Sequence, residues 1–336
     1  MSTVHTTLAI LTALALALLA LAWRDGGAIR FARWRALRRH LRAARRQAPP
    51  ANGPSVTAAI QDADLPDLPM TDLPRFLMIG DGAVALSALL SSASNDSPSA
   101  LLAADDPPPF WRGWTLPAIV AIEVRPPPAD LVGPVDTNWL TALQALARMN
   151  PKRPLDGMVL CVSTALLRAD ATVADPVMQL AARRVHQTAS ALRMRLPIQL
   201  LVTGLQDLPG YDCVRAALPD ALAAHALGWR PGPGQHQPSF DEITQPIGAA
   251  LHALRLGLLA TSRDIRQRHD IHRFVEAVIA LEPGLRRLHA TLKLEGDTRT
   301  PWQGLYLTAS GPHGAFVHEL FAHFIPAAGA AARDMP

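Results

Sequence analysis

Phe76-Leu77-Met78-Ile79-Gly80-Asp81-Gly82-Ala83-Val84-Ala85-Leu86-Ser87 carries an apolar strand through a glycine turn into a helix-forming run. That order frames a phosphate-binding loop, whose spacing rule is Gly, four residues, Gly-Lys, then Ser or Thr. Ala85 stands at the second glycine, Leu86 stands at the lysine, and only Ser87 keeps the pattern. The frame predicts a P-loop-NTPase-like α/β fold. The absent lysine removes the charge that would face the outer phosphates, so ordinary ATP or GTP hydrolysis is not expected.

Beyond this stretch, short apolar runs alternate with longer amphipathic ones, the pattern of a mostly parallel sheet with flanking helices. Strands are predicted at Arg75 to Ile79, Ala118 to Val124, Gly157 to Ser163, Ile198 to Thr203 and Gly304 to Ala309. Helices are predicted at Val84 to Ser91, Thr137 to Met149 and Val173 to Arg195. After Pro209-Gly210, helical stretches at Val214 to Gly228, Phe240 to Thr261 and Ile271 to Leu281 suggest a helical subdomain before the last strand returns. The small, alanine-rich tail from Pro326 is expected to fray.

On the amino-terminal side, Thr6 to Trp23 has neither charge nor proline, and Arg24, Arg30, Arg33, Arg35, Arg38, Arg39, Arg42, Arg45 and Arg46 follow it. A run of about 20 apolar residues crosses a bilayer core, so this reads as a single membrane span. Arginine is retained on the cytoplasmic side, which predicts an inner-membrane protein with its carboxyl-terminal body in the cytoplasm. The expected organisation is a transmembrane segment (1–23), a basic juxtamembrane helix and linker (24–72), a degenerate P-loop-like α/β domain (73–210) and a helical subdomain with the returning strand (211–325).

The chain has 336 residues, 49% of them hydrophobic, enough for a folded body. Its two cysteines, Cys161 and Cys213, are too few for a disulfide framework and read as reduced. A net charge of +4 would suit nucleic acid, but the arginines crowd beside the apolar segment and the remainder is neutral to acidic. Anionic lipid headgroups are therefore the expected partners of Arg24, Arg30, Arg33, Arg38 and Arg42, and nucleic acid is not.

The 12 histidines include no HExxH pattern, and although Glu319 and His323 share a helix face, solvated or capping histidines are the commoner reading. No serine sits in a G-x-S-x-G elbow. Trp111-Arg112-Gly113-Trp114 lies in a proline-rich stretch before the second strand, where a partner contact and core filling both remain open.

Four segments carry a resemblance to a family: PRFLMIGDG (Pro74 to Gly82), LDGMVLCVSTALL (Leu155 to Leu167), RLPIQLLVTGLQDLPGY (Arg195 to Tyr211) and QGLYLTASG (Gln303 to Gly311). Their order resembles the cytoplasmic NTPase-like domain of the IcmF/TssM family of type VI secretion inner-membrane proteins. Family members have a hairpin of membrane helices before this domain and a large periplasmic region after it. Here one segment precedes and the chain stops at Pro336, so a short version of the cytoplasmic part is expected.

The resemblance also implies where a nucleotide site would lie. The family's acidic "DTAG" segment aligns with Ile122-Glu123-Val124-Arg125-Pro126, which leaves Glu123 in the acidic place and a stiff proline run after it. Its "TKxD" segment aligns with Thr203-Gly204-Leu205-Gln206, which puts Gln206 at the aspartate and Asp207 one residue late. The vestigial nucleotide-binding set is thus Gly80, Gly82, Ser87, Glu123, Thr203 and Asp207, with no catalytic residue, cofactor or metal ligand assigned.

Two functions follow from the resemblance. One is a membrane-anchored pseudo-NTPase scaffold or regulatory subunit of a type VI secretion membrane complex, partnered by other membrane-complex and baseplate proteins. The other is a tethered nucleotide-binding regulator or weak GTPase/ATPase.

Overall fold

The computed structural model describes residues 28–47, 72–82, 84, 86–93, 111–124, 137–232, 238–294, 301–311 and 313–333. The predicted membrane span lies outside them. Among the described residues, no helix is long and apolar enough to cross a membrane.

Seven strands form one sheet: β1 (Arg75–Gly80), β2 (Trp111–Thr115), β3 (Val120–Val124), β4 (Gly157–Ser163), β5 (Ile198–Thr203), β6 (Leu227–Trp229) and β7 (Trp302–Leu307). Their order is β2-β3-β1-β4-β5-β7-β6. The five inner strands run parallel, and β2 and β6 close the two edges antiparallel. Strands β1, β3, β4 and β5 are buried throughout, as their unbroken apolar runs require.

Phe76 pairs with Ala121 on one side and Gly157 on the other. A Cβ on Gly157 would sit 2.5 Å from the Phe76 ring, so glycine opens β4 to let that ring lie flat. Because β3 and β4 flank β1 on opposite sides, the chain reverses direction across the sheet at β1. In open α/β sheets, the carboxyl ends of the strands at such a point form the ligand crevice.

The helices are α1 (Ala28–Gln47), α2 (Leu86–Ala93), α3 (Thr137–Met149), α4 (Thr164–Arg168), α5 (Ala171–Leu192), α6 (Tyr211–Ala217), α7 (Asp220–Ala224), α8 (Phe240–Thr261), α9 (Ile265–Ile279), α10 (Glu282–Leu294) and α11 (Ile325–Arg333). A π-helical turn, Leu320–Phe324, leads into α11.

Several expectations are corrected. The tryptophan stretch is the edge strand β2, and Trp114 is a core residue. The helix expected over Val214 to Gly228 divides into α6, α7 and β6. Pro219 forces the division, since the residue before a proline avoids helical backbone and Leu218 is extended at φ −81°, ψ 125°. Up to Arg333 the tail is helical rather than frayed: α11 starts at Ile325, takes Pro326 in its first turn and packs Gly329 near Phe76.

The chain divides into two compact units. The larger holds the sheet and most helices. Its core joins Phe76 and Met78 of β1, Leu86, Leu89 and Leu90 of α2, and Leu320, Phe321 and Ile325 around the π turn.

The smaller unit includes α1, α3 and the last turn of α5. Helix α1 packs against α3, with Leu37 buried. Arg33, expected at a lipid surface, is only 4% exposed. Its Nε donates to the Leu192 carbonyl at 2.6 Å and its Nη1 to the Pro151 carbonyl at 2.6 Å. Those carbonyls belong to the end of α5 and the segment just after α3, where helix dipoles leave negative charge and unfilled acceptors. The basic side chain is thus consumed as a clasp inside this unit.

Arg33→Met keeps an aliphatic stem but strands the carbonyls, and a loss of about 2 kcal/mol is expected. Hydrogen exchange checks it: amides of α1 should lose protection in the variant while those of β4 and β5 keep theirs.

Candidate functional site at the carboxyl edge of the sheet

The carboxyl edge is sewn together by short polar side chains. Strand β1 ends at Gly80, Asp81 follows, and Gly82 turns the chain at φ +89°. Such a turn suits glycine, and it brings the Asp81 carboxylate back over the loop. Asp81 Oδ1 accepts from the Val84 amide at 3.0 Å. Asp81 Oδ2 accepts from both the amide and the hydroxyl of Ser163, each at 2.7 Å, at the end of β4. Ser163 in turn caps α4 by accepting from the Leu166 amide at 3.1 Å.

Asp81 thus ties the loop after β1 to the end of β4. Leu86, at the lysine position, is buried in the core with its side chain against Gly80.

The structure brings Ser87 and Glu123 together. Ser87 Oγ donates to Glu123 Oε1 at 3.3 Å, and Trp114 Nε1 donates to Glu123 Oε2 at 2.8 Å. Glu123 is 4% exposed, and each of its oxygens meets a neutral donor. Cys161, buried on β4, has its thiol pKa pushed up, first by burial and then by the charges of Asp81 and Glu123. It is an inert core residue rather than a nucleophile.

Thr203 and Asp207 belong to a second cluster. Thr203 is buried and donates to the Val162 carbonyl at 3.3 Å. Gly204 follows at φ +88°, and its carbonyl accepts from Thr164 Oγ1 at 3.0 Å. Asp207 is exposed. Gln206 makes the cross-link instead: its Oε1 accepts from the Ser310 amide at 3.1 Å, and its Nε2 donates to Ser310 Oγ at 3.4 Å. A position that would read a base in the family pattern here ties the β5 loop to the β7 loop.

Sequence reading assigned no site role to Asp81, Ser163 or Thr164, and of the two readings open for Trp114 the structure shows core filling.

Among the described residues, no group of three or more His, Cys, Asp or Glu side chains is placed to hold a metal. Glu319 is engaged structurally, accepting from the Ala226 amide at 2.7 Å and from His225 Nδ1 at 3.2 Å. The Ala226 hydrogen bond, more than His225, holds its carboxyl below the usual range. A groove of about 520 Å³ lies beside α6, α7 and α8, lined by Leu218, Leu222, Leu227, Leu254 and Phe316.

The fold defines a class: a mixed α/β domain with a seven-stranded, mostly parallel sheet and flanking helices, its β1 loop tied to β4 by Asp81. Residues 136–333, more than half of the chain, match the IcmF-related N-terminal domain, and the protein belongs to that family. The matched stretch begins after β3, so the Gly80–Ser87 loop lies outside it. A comparison with curated proteins finds no match. Family membership associates the protein with type VI secretion, with a secretion-system complex and with the inner membrane.

Proposed function

We propose that the protein is a membrane-anchored pseudo-NTPase that serves as a scaffold or regulatory subunit of a type VI secretion inner-membrane complex. The observation that carries this reading is Leu86, buried in the core at the position of the phosphate-binding lysine, in a loop whose Asp81 is tied to Val84 and Ser163. A phosphate entering the loop would meet no lysine at Leu86. The fold then acts through its surfaces, docking other membrane-complex and baseplate proteins. The Thr6 to Trp23 run and the arginines after it support a single membrane pass with the body on the cytoplasmic side.

A second reading, a nucleotide-binding regulator or weak GTPase/ATPase, is favoured by the Ser87–Glu123 pair, the residue types that could share a magnesium ion. Thermal unfolding with Mg-ATP and Mg-GTP separates the two. A ligand present at about 100 times its Kd stabilises a protein by about 2.7 kcal/mol. No shift is expected at millimolar nucleotide; a rise of several degrees, abolished by Ser87→Ala, would favour the regulator.

A further inference from the structure

The exposed side of α1 carries Trp34, Arg35, Arg38, Arg39 and Arg42, and Ala28–Gln47 contains no acidic residue. Arg33 and Leu37 secure the opposite side within the smaller unit, which fixes the helix about its own axis. The Arg38 guanidinium lies 4.1 Å from the centre of the Trp34 ring, and that indole is 41% exposed. An exposed indole among arginines suits one boundary well: the ring enters the headgroup layer while the guanidinium groups meet phosphate.

The geometry points to this face as a docking surface for an anionic bilayer, with Trp34, Arg38, Arg39 and Arg42 in contact and Arg33 excluded. The inference rests on the membrane-anchored reading, because the apolar run ending at Trp23 places α1 only a few residues from the interface. Charge complementarity commits it to phospholipid. A nucleic acid would match the charge but would leave Trp34 without its apolar layer, and the rest of the chain is neutral to acidic.

The full-length chain is mixed with vesicles of phosphatidylcholine alone, or of phosphatidylcholine with phosphatidylglycerol, each carrying a brominated lipid that quenches tryptophan. The Trp34 signal is the difference from Trp34→Phe. It should be quenched in the anionic vesicles and spared in the neutral ones.

Each arginine near an anionic surface contributes roughly fivefold, so Arg38→Gln/Arg39→Gln/Arg42→Gln should lower the ratio of docked to undocked protein about a hundredfold. Molar salt should release the wild-type face as well. An unchanged thermal melt would show that the triple variant is folded. Recovery of the chain with both vesicles but equal quenching overturns the inference and leaves the membrane anchor standing. Recovery with neither overturns both. Retention of a DNA duplex without vesicle quenching, lost in the triple variant, overturns it in favour of nucleic acid.

Discussion

Replacing Gly210 with alanine is expected to destabilise the larger unit by about 4 kcal/mol, the sum of backbone strain and a steric clash. Gly210 caps the start of α6 at φ +84°, a conformation that side-chain-bearing residues rarely adopt. A Cβ there would also lie 2.1 Å from the Asp270 carbonyl oxygen in α9. Neither can relax freely, because the next residue is pinned. Tyr211 is buried, its ring tilts against Phe274 at a centroid distance of 5.8 Å, and its hydroxyl donates to the His313 carbonyl. Burial pushes the Tyr211 pKa up to about 12, so the hydroxyl stays protonated as a donor.

A loss of this size corresponds to a fall in Tm of roughly 10 °C. Gly210→Asn is the informative companion, since asparagine tolerates positive φ but still carries the clashing Cβ. Asparagine nearly as damaging as alanine would show that the close approach of α9 dominates. Alanine within about 2 °C of wild type would refute the packing argument, a difference that is small on this scale.

The same segment shows what is readable in a sequence. Strands β1, β4 and β5 are continuous apolar runs, so they were visible together with their parallel arrangement. Helix α8 was visible to the residue, and the structure adds that Ser239 and Glu242 form a capping box at its start.

Short edge strands left little signal. Strand β6 is three residues long, and it depends on Gly228, whose Cβ would sit 2.2 Å from the Leu305 carbonyl; that is a tertiary requirement. In β2 a glycine and neighbouring prolines masked the strand.

The site divides similarly. The loop's missing lysine was legible because spacing is a sequence property. That Asp81 reaches Ser163, 82 positions away, depends on β1 and β4 lying side by side. The fate of Arg33 was illegible for a related reason, since nothing local distinguishes an arginine that clasps carbonyls from one that faces lipid.

Acidification is expected to weaken the fold through His289. This histidine on α10 is buried against two rings, Phe240 at 5.5 Å and Trp302 at 5.0 Å between centroids. Burial first, and then the nearby charges of Lys293 and Arg286, lower its pKa to about 4. Arg286 is held in place over the Phe240 ring and by Asp241 and Glu282, so its positive charge cannot swing away without breaking those contacts.

The sign follows from linkage. The folded state prefers neutral imidazole, whereas the unfolded chain takes up a proton near pH 6.5. Above that pH both states are neutral and the full stability is present. As pH falls from about 6.5 to about 4, the unfolded state gains a proton that the folded state refuses, and about 3 kcal/mol is lost. Roughly 2 kcal/mol of this should be gone by pH 5.

Other groups titrate in the same window, so the measurement is a difference. Urea unfolding of wild type and His289→Phe at pH 7.5 and pH 5 should show the variant gaining about 2 kcal/mol relative to wild type on acidification. Parallel pH profiles for the two proteins would mean that the imidazole reaches water and takes its proton without cost. The packing of His289 between Phe240 and Trp302 would then be looser than the ring distances imply.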